Sequence, residues 1–467
     1  MSDSKNSAAA NGSPDAPKSQ KPPARPTLKA VRGTRDLLPD QTPLWNHVEA
    51  TARALFARYG FGEIRTPIFE TTELFARGVG EETDIVSKEM FTWEDRARAA
   101  SEKAQSLTLR PESTAGVVRA YIEHKLGETG QLQKLYYIGP QFRRERPQRG
   151  RYRQFWQIGA EVIGPQSSGA ESPLRDAEVL EMLASLLNEL GIRDWRLELN
   201  SVGSSEDRVR YNAALREALQ PVKHQLCPDN QRRAETNPLR VLDSKDEADQ
   251  GIINALPKIA DYLGPESAAH FAQVLAALDA CAVPYHLNPR LVRGLDYYTR
   301  TTFEFTVTTG LGTQNALLGG GRYDGLSEML GGPKAPGIGF AIGEDRLILT
   351  LQAQAESDAA ANPGAPGPAS GTWVSVKKLD AYIAPLGTAQ NPAALALAHD
   401  LRAAGLKVEV GDGTFKLRKS FDTADTLARH IILLGEDEAA TNILTVKTFA
   451  TGEQKKVSRA KLAEALA

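Results

Sequence analysis

Apolar side chains recur along the first part of the chain at two different intervals. From Leu44 to Tyr59 they return every three or four residues and Gly60 follows, which predicts an amphipathic helix that ends at the glycine. The next segment, GEIRTPIFE, is typical of a strand, but Pro67 has no N–H to donate to a sheet. We therefore expect a strand through Pro67 at a sheet edge or at an interface.

Two segments with strictly alternating apolar and polar residues flank the sequence RPQRGR. They run from Leu135 to Glu145 and from Tyr152 to Ile163, and they predict one long antiparallel hairpin. On the second strand Gln157 and Glu161 share one face, whereas Ile158 and its i+2 neighbours share the other. We expect the apolar face to pack on the core and the polar face to meet a small ligand.

Helical patterns dominate the middle of the chain. A helix is predicted from Asp176 to Leu190, and RDWRLELNSVG then returns as a strand. From about residue 204 to residue 286 only helical spacing occurs, which predicts an all-α insertion. Residues 290–308 and 313–343 again show strand, Gly-rich turn, strand and helix.

Two stretches lack the apolar residues that a folded core needs. Residues 1–27 contain five prolines and no Val, Ile, Leu or aromatic residue, so we predict a disordered tail. Residues 355–371 are rich in Pro and Gly and predict a linker. These boundaries separate a unit of residues 28–354 from one of residues 372–467. In the second unit strands alternate with helices, which predicts a mostly parallel α/β sheet.

Composition and charge exclude several classes of protein. The chain has 467 residues, 41% hydrophobic and 24% charged, which is ordinary globular composition, and no apolar run is long enough to cross a membrane. Cys227 and Cys281 predict reduced thiols in a cytoplasmic protein, and the seven scattered histidines predict no metal held by protein groups alone. With a net charge of −2, any nucleic acid must bind through local basic patches.

The strongest local charge lies in the turn of the hairpin. The segment Arg143–Arg153 (RRERPQRGRYR) has six arginines and one glutamate, a local charge of 6 − 1 = +5. A solvated turn is the ordinary explanation of such a run. The strand pattern favours another, because it places Arg143, Gln157 and Glu161 on one sheet face, and a planar guanidinium suits a phosphate group.

Two further strings, LVRGLDYYT from Leu291 and GGGRYDGL from Gly319, combine glycines with polar residues. Arg293 is explained by surface exposure or by a ligand, and the glycines by a turn or by close approach to a ligand. The string GIGFAIG lacks the spacing of a dinucleotide fingerprint, and no GxxxxGK[ST] occurs. Binding of ATP would therefore not use a P-loop.

Together these segments resemble the histidyl-tRNA synthetases, a family of class II aminoacyl-tRNA synthetases. The resemblance covers nearly all of residues 30–467 and includes VRGTRDLLP, TDIVSKEMFTWEDR, LTLRPESTAG, the hairpin as motif 2, LVRGLDYYT, GGGRYDGL, the motif 3 segment GIGFAIGEDRL and DTLARHIILLGEDE. It implies an α+β fold, in which an antiparallel catalytic sheet with a helical insertion precedes a C-terminal α/β anticodon-binding domain.

The resemblance also implies an activity and partners. The enzyme would activate histidine with ATP, accompanied by Mg²⁺, and would transfer the histidyl group to the 3′ end of tRNA(His). It would be a homodimer, because the helix from Leu44 to Tyr59 and the Pro67 strand match motif 1, the subunit interface of class II enzymes.

Individual residues acquire roles through the same resemblance. Catalysis is assigned to Arg293 and Arg143. Binding of ATP is assigned to Arg143, Glu145 and Arg346. Contact with the tRNA acceptor end is assigned to Arg146, Arg149 and Arg151. The histidine pocket would be built from six residues, namely Glu112, Thr114 and Gln157 around the α-ammonium, Glu161 and Tyr298 at the imidazole nitrogens, and Tyr323 in the wall.

Two positions depart from the family pattern. Ser113 replaces a usual glycine and would narrow the amino-acid pocket, and Asp345 precedes Arg346 where a glutamate is usual. The competing hypothesis is a non-catalytic, synthetase-like regulatory subunit of a histidine-biosynthetic phosphoribosyltransferase. Such paralogues lack the C-terminal domain and tend to lose the arginines, so Arg143, Arg293 and residues 372–467 favour the enzyme. By itself, the C-terminal unit is also compatible with a generic α/β interaction module.

Overall fold

The chain forms an eight-stranded sheet, a five-stranded sheet and a small three-stranded one. This computed structural model describes residues 27–466 except 81–82, 84, 96–103, 295–296, 313–314 and 362–378. The predicted tail, apart from its last residue, and the greater part of the predicted linker lie outside the described residues.

The described residues contain short and long strands, several of them consecutive along the chain. In chain order they are β1 (Gly62–Glu63), β2 (Phe69–Thr71), β3 (Phe91–Asp95), β4 (Gln105–Leu109), β5 (Gln133–Phe142), β6 (Gln154–Ile163), β7 (Trp195–Ser201), β8 (His286–Leu287), β9 (Thr299–Val307), β10 (Ala316–Arg322), β11 (Gly337–Gly343), β12 (Leu379–Pro385), β13 (Val408–Val410), β14 (Ala428–Leu434), β15 (Ile443–Thr448) and β16 (Gln454–Ser458).

The α-helices range from one turn to five. In chain order they are α1 (Thr42–Arg58), α2 (Thr72–Val79), α3 (Thr114–Glu123), α4 (Pro173–Glu189), α5 (Ser205–Leu219), α6 (Pro228–Thr236), α7 (Gln250–Asn254), α8 (Pro265–Ala280), α9 (Leu326–Met329), α10 (Glu344–Ala361), α11 (Asn391–Ala403), α12 (Leu417–Leu427), α13 (Glu436–Thr441) and α14 (Leu462–Leu466).

The large sheet has the order β1-β5-β6-β11-β10-β9-β7-β8. Every pairing from β5 to β7 is antiparallel, and only the two short end strands pair parallel, which confirms the predicted antiparallel core. One face of the sheet packs on α1 and α4 through a continuous apolar core that includes Phe56, Ile158, Leu183 and Phe340. The hairpin predicted from period-two alternation is β5 and β6, ten residues each.

The expected strand through Pro67 does not form. Gly62 and Glu63 add to the large sheet, whereas Phe69–Thr71 pairs with β4 in the three-stranded sheet. Pro67 lies between them, because a residue without an N–H interrupts pairing and the chain changes sheet there.

The segment predicted as an all-α insertion, from about residue 204 to residue 286, contains only helices before β8 and packs in two parts. Its own core joins Tyr211, Leu215, Val241 and Ile259. Helix α8 instead supplies Val274 and Leu278 to the core of the large sheet. Helical spacing is the same in both cases, so the sequence pattern did not separate a helix of the insertion from one that covers the sheet.

The C-terminal unit also differs in detail from its prediction. Its sheet has the order β13-β12-β14-β15-β16, and only the pairings of β12 with β13 and β14 are parallel. Strands β14, β15 and β16 pair antiparallel, so the sheet is mixed rather than mostly parallel. The helix predicted from Ser458 begins at Leu462, because Gln454–Ser458 closes a hairpin with β15.

The first seven residues of the predicted linker, 355–361, belong to a helix. Helix α10 continues to Ala361, and Ala355 is buried on it. The segment is rich in alanine, the residue with the highest helix propensity, and this favours helix where the composition alone indicates a linker.

A buried ion pair joins β10 to α4. The Arg322 side chain is fully buried, and its Nε donates to Asp176 Oδ1 at 3.1 Å. Further donors reach Asp324 Oδ1 at 2.9 Å and the Ala170 carbonyl at 3.0 Å. The arginine of GGGRYDGL therefore faces away from the polar side of the sheet and fixes the strand that carries the three glycines.

We predict that Arg322→Ala lowers the free energy of unfolding by about 3–5 kcal/mol, because Asp176 would remain charged and buried without its partner. Chemical denaturation measures the loss. The matched control is Arg58→Ala, which removes an exposed ion pair with Glu189 and should cost only about 0–1 kcal/mol. Equal losses in the two variants would contradict the structural role of Arg322.

Candidate active site

A cleft of about 620 Å³ opens over the polar face of the large sheet. Gln157 on β6 borders it, whereas Ile158, Ala160 and Val162 on the same strand lie in the core. Alternation along β6 thus separates the two faces as the sequence predicts. The other walls come from the hairpin turn, from β9 to β11 and from the helical insertion.

A buried carboxylate lies directly behind the wall of the cleft, beneath Thr114, Tyr323 and Gly339, which border it. Glu161 is fully buried and accepts hydrogen bonds from Thr114 Oγ1 at 2.8 Å and from the Tyr323 hydroxyl at 2.6 Å. Gly339 on β11 leaves the space for it, since a Cβ there would overlap the Glu161 carboxylate. Burial raises the pKa of Glu161 to about 8.

A second carboxylate and an amide lie beside it. Glu112 accepts from the backbone N–H groups of Thr114 at 2.6 Å and Ala115 at 3.0 Å, at the start of α3. Burial raises the pKa of Glu112 as well. Gln157 Oε1 is buried and has no hydrogen-bond partner among the described residues. An acceptor in this state is satisfied when a ligand donates to it.

Aromatic side chains close this part of the cleft. The rings of Tyr297 and Tyr298 lie 4.7 Å apart, and Tyr297 meets Tyr323 edge to face at 5.9 Å. The Tyr298 ring lies against Gly321, where a Cβ would be 2.8 Å from its Cδ1. Tyr298 and Tyr323 therefore come together with Glu161, as the resemblance implies.

Arg293 is stretched across the backbone of β10. Its Nη1 donates to Glu304 Oε1 at 2.9 Å. A Cβ on Gly319 would lie 2.6 Å from its Nη2, so only glycine allows this approach. The three glycines of GGGRYDGL lie inside β10 rather than in a turn, which decides between the two sequence-based explanations.

Arg143 and Glu145 follow β5 at the mouth of the cleft. The Arg143 guanidinium stacks on Phe155 at 5.2 Å, and its Nε donates to the Pro111 carbonyl at 2.9 Å. Glu145 pairs with Arg151 at 3.1 Å, and all three of these charged residues border the cleft.

Arg346 enters from the start of α10 and donates to the Ala316 carbonyl. Burial and then the neighbouring charge of Arg151 lower the pKa of Arg346, whereas the charges of Glu304 and Glu145 raise it. Asp345, the departure noted above, instead accepts from Arg35 at 2.7 Å and from the Trp156 N–H at 3.0 Å. It anchors the N-terminal segment, and Arg346 alone of this pair supplies charge of the kind a phosphate needs.

Three residues that the sequence analysis connected with the site do not border the cleft. Arg146 and Arg149 are exposed on the hairpin turn and do not border the cleft. Ser113 does not narrow the pocket, because its hydroxyl accepts from the Gln141 amide at 2.7 Å, outside the cleft lining.

Other cleft residues escaped the sequence reasoning. Glu304 had a usable signal, since it is the polar residue of the alternating strand TTFEF. Arg233, Asp243 and Lys245 had none, because they lie in the helical insertion, where charged residues are ordinarily solvated.

One cluster of side chains outside the cleft has the donor groups of a metal site. Within the part of the chain that the structure describes, Cys227, Asp246 and Asp249 are close enough to share an ion. Asp249, however, already accepts from the Cys227 N–H and the Asn230 amide, so it caps a turn. None of the described helices has the length and apolarity that a membrane span requires.

In this architecture arginines approach the floor of an antiparallel sheet, beside a pocket with two buried carboxylates, and no P-loop is involved. That arrangement defines the class II aminoacyl-tRNA synthetases. The family model described as Histidyl-tRNA synthetase matches residues 33–347, and the one described as Anticodon binding domain matches residues 380–467. The chain belongs to the histidyl-tRNA synthetase family.

Individual relatives agree with this assignment. A Histidine--tRNA ligase of Koribacter versatilis is 65% identical over 93% of this chain and 95% of its own length. One of Solibacter usitatus is 51% identical over 94% of this chain and 99% of its own. The crystal structure of apo S. aureus histidyl-tRNA synthetase superposes with a TM-score of 0.74 at 37% identity, covering 94% of this chain and 100% of that one.

The pKa of Glu161 predicts how stability depends on pH. Its folded-state pKa of about 8 lies above the ordinary 4.5, so the folded protein binds the extra proton between these values. The free energy of unfolding should therefore fall from pH 5 to pH 8, and part of that fall should vanish in Glu161→Gln. Denaturation at pH 5, 6.5 and 8 measures the difference between the two proteins.

That difference isolates Glu161 from the other carboxyls whose pKa values are raised, which include Glu112, Asp243, Glu344 and Asp345. Parallel pH profiles of wild type and Glu161→Gln would contradict the raised pKa of Glu161.

Proposed function

We propose that the protein catalyses the ATP-dependent activation of histidine to histidyl-adenylate and the transfer of the histidyl group to the 3′ end of tRNA(His). The observation that carries this proposal is the convergence of Arg143, Arg293 and Arg346 on one cleft with the buried carboxylate of Glu161 beside it. The cations suit a triphosphate, and the carboxylate suits a substrate that brings its own donors.

Glu161, Tyr298 and Tyr323 recognise the imidazole ring. A bound ring offers an N–H to the Glu161 carboxylate, and Tyr298 contacts the other nitrogen. A side chain without these nitrogens would leave buried polar groups unpaired, which costs far more than a lost apolar contact. Selectivity for histidine follows without a separate editing site.

Glu112, Thr114 and Gln157 hold the α-ammonium group. Glu112 supplies the opposite charge, and Gln157 Oε1 gains the donor that it lacks in the described structure. Thr114 links the two ends of the pocket, because its hydroxyl already donates to Glu161.

The arginines serve the phosphoryl step. Arg143 binds the α-phosphate, together with Glu145 at the ATP site, and Arg346 binds the γ-phosphate side. Arg293 lies beside the histidine carboxylate, whose oxygen attacks the α-phosphorus while pyrophosphate leaves. Negative charge gathers on the equatorial oxygens in that transition state, and fixed cations stabilise it most in a site that excludes water.

Magnesium accompanies the ATP phosphates in this proposal and neutralises part of their charge. The cleft carboxylates Glu145, Glu304 and Asp345 are each paired with an arginine. Phosphate oxygens, rather than a protein cage, would therefore supply most of the ligands, in keeping with the preferences of Mg²⁺.

The tRNA is held at both ends. Arg146, Arg149 and Arg151 on the hairpin turn contact the acceptor end through phosphates, and the C-terminal unit binds the anticodon. The exposure of Arg146 and Arg149 suits contact with a large polyanion rather than a small ligand. A cytoplasmic location is part of the proposal, because the proposed reaction supplies charged tRNA for protein synthesis.

A homodimer completes the proposal, through the end of the Pro67 segment of motif 1 and a neighbouring strand rather than through the motif 1 helix. The apolar face of α1 is already buried in the core through Val48, Leu55 and Phe56. Exposed apolar side chains lie instead at Phe69 and Trp93, whose rings are 5.9 Å apart on the three-stranded sheet. A second copy of the chain is the partner that would cover them.

The regulatory-subunit alternative is less supported. The relatives that cover nearly the whole chain, including its C-terminal unit, carry the name Histidine--tRNA ligase. Pyrophosphate exchange with each of the twenty amino acids tests the choice directly. Exchange with histidine alone supports the proposed activity, and a folded protein without exchange for any amino acid would refute it.

We predict that Arg293→Ala lowers the rate of histidine-dependent exchange by roughly 10²- to 10³-fold with little change in ATP affinity, because its charge acts in the transition state. The control is Arg196→Ala, which removes an arginine from the same sheet outside the cleft. A rate near that of wild type in Arg293→Ala would remove Arg293 from the mechanism.

We predict that Trp93→Glu and Phe69→Glu dissociate the dimer, because a carboxylate would have to be buried at the interface. Sedimentation at micromolar concentration measures the mass. Val209→Glu, at an exposed apolar position on α5, should leave the mass unchanged. A wild-type monomer with full activity, or a dimer that survives both substitutions, would contradict the proposed interface.

A further inference from the structure

The cations around the cleft fall into two groups. Arg346 lies near Arg143 and Arg151, whose positive charges lower its pKa after the larger effect of burial. Asp243 marks the second group: burial and Glu304 raise the pKa of Asp243, while Arg293, Lys245 and Arg233 act in the opposite direction. We call the first group the hairpin cations (Arg143, Arg151, Arg346) and the second group the insertion cations (Arg233, Lys245).

The insertion cations lie in the cleft because their loop is fixed. Ser244 is buried between Asp243 and Lys245, and its hydroxyl accepts from the Asn230 amide at 2.6 Å. Its carbonyl accepts from the Gln250 amide at 3.0 Å and from Arg290 at 3.3 Å. With Ser244 held from three sides, its neighbours Asp243 and Lys245 are left at the cleft wall.

Arg290 ties this loop to the catalytic arginine. Its guanidinium also donates to the Leu242 carbonyl at 3.2 Å and to Gln250 Oε1 at 2.8 Å. Arg293 follows three residues later, after Leu291, whose carbonyl accepts from the Asn200 amide at 3.0 Å. The insertion cations thus have a defined position relative to Arg293.

Arg233 joins Lys245 from the adjacent helix. It lies on α6, one turn after Asn230, and donates to Asn230 Oδ1 at 3.3 Å. Arg233 is half-buried at the cleft wall, whereas Lys245 is exposed there. Together they place two positive charges on the insertion side of the cleft, separate from the hairpin cations.

The proposed reaction brings two polyanions into this one cleft. Arg143 and Arg346, with Arg293 beside the reacting α-phosphate, account for the ATP triphosphate in the first step. In the second step the 3′-terminal ribose hydroxyl must reach the histidyl carbonyl near Arg293, so the phosphates that precede this ribose must enter as well. Glu304 lies near both groups of cations. Its negative charge would repel a phosphate placed between them, so the two groups act as separate anion sites.

We propose that Arg233 and Lys245 form a phosphate subsite for the 3′-terminal nucleotides of tRNA, an inference that rests on the proposed charging function. The subsite acts on the phosphate backbone and therefore carries no base specificity. Pyrophosphate, or the triphosphate of ATP, shares the same chemistry, and the experiment separates these sources.

The test uses the double variant Arg233→Ala/Lys245→Ala in the full chain. Histidine-dependent pyrophosphate exchange should stay within about twofold of wild type. Single-turnover transfer from preformed histidyl-adenylate, at subsaturating tRNA, should fall by about tenfold or more, because charge-assisted contacts to phosphate are lost. The slope of log(kcat/KM) for tRNA against log[salt] should become shallower by about 1.4, or ~0.7 for each charge removed.

Two controls make the result specific. Lys258→Ala removes an exposed lysine of the insertion that does not border the cleft and should behave as wild type. A tRNA that lacks its two 3′-terminal nucleotides, used in binding, should lose affinity for wild type but show no further loss with the double variant.

Two outcomes of this test would overturn the subsite. A parallel fall in exchange and a raised KM for ATP would assign the two cations to the triphosphate. Unchanged transfer and an unchanged salt slope would show that no phosphate binds there. Failure of wild-type exchange with histidine is a different result, because it would refute the proposed function itself before the subsite is tested.

Discussion

The site depends on stretches of β10 and β11 that have no side chains on the cleft face. Gly319 lets the Arg293 guanidinium lie on the backbone, and Gly339 leaves room for the Glu161 carboxylate. A methyl group at either position would move a charged side chain that the chemistry needs. The opposite requirement holds on the reverse of the same strand, where Arg322 fills the space and bonds to Asp176. The ion pair on the core face fixes the position of β10, while the cleft face of the strand offers only backbone at Gly319.

Groups of like charge lie close together at both ends of the cleft. Glu112 and Glu161 are buried with raised pKa values, and the hairpin cations crowd one another at the other end. A substrate adds groups of opposite sign at both ends: an ammonium and a ring N–H beside the carboxyl groups, and phosphates beside arginines of which Arg143 and Arg151 already share Glu145. Folding therefore stores unfavourable electrostatic free energy that binding releases, so affinity is gained by supplying charges in the right places rather than by burying area.

The sequence predicted most where periodicity was strict. The β5–β6 hairpin and the faces of Gln157 and Ile158 follow from alternation alone, because one side of a strand must be apolar when the sheet covers a core. It failed where composition was ambiguous: an Ala-rich segment serves equally as linker or helix, as α10 shows up to Ala361. Residues such as Lys245 could not be found, because their place in the cleft depends on how the insertion packs on the sheet.

The hydrogen bonds of Arg290 decide how the helical insertion could be exchanged between proteins. Helical insertions are commonly regarded as interchangeable additions to a core, yet this one is held by Arg290, which lies three residues before Arg293. A chimera that exchanged only the helices between β7 and β8 would leave Arg290 facing foreign carbonyl groups. Insertion and catalytic segment are therefore best transplanted as one unit through Arg293, and they are expected to diverge together among relatives that recognise different acceptor ends.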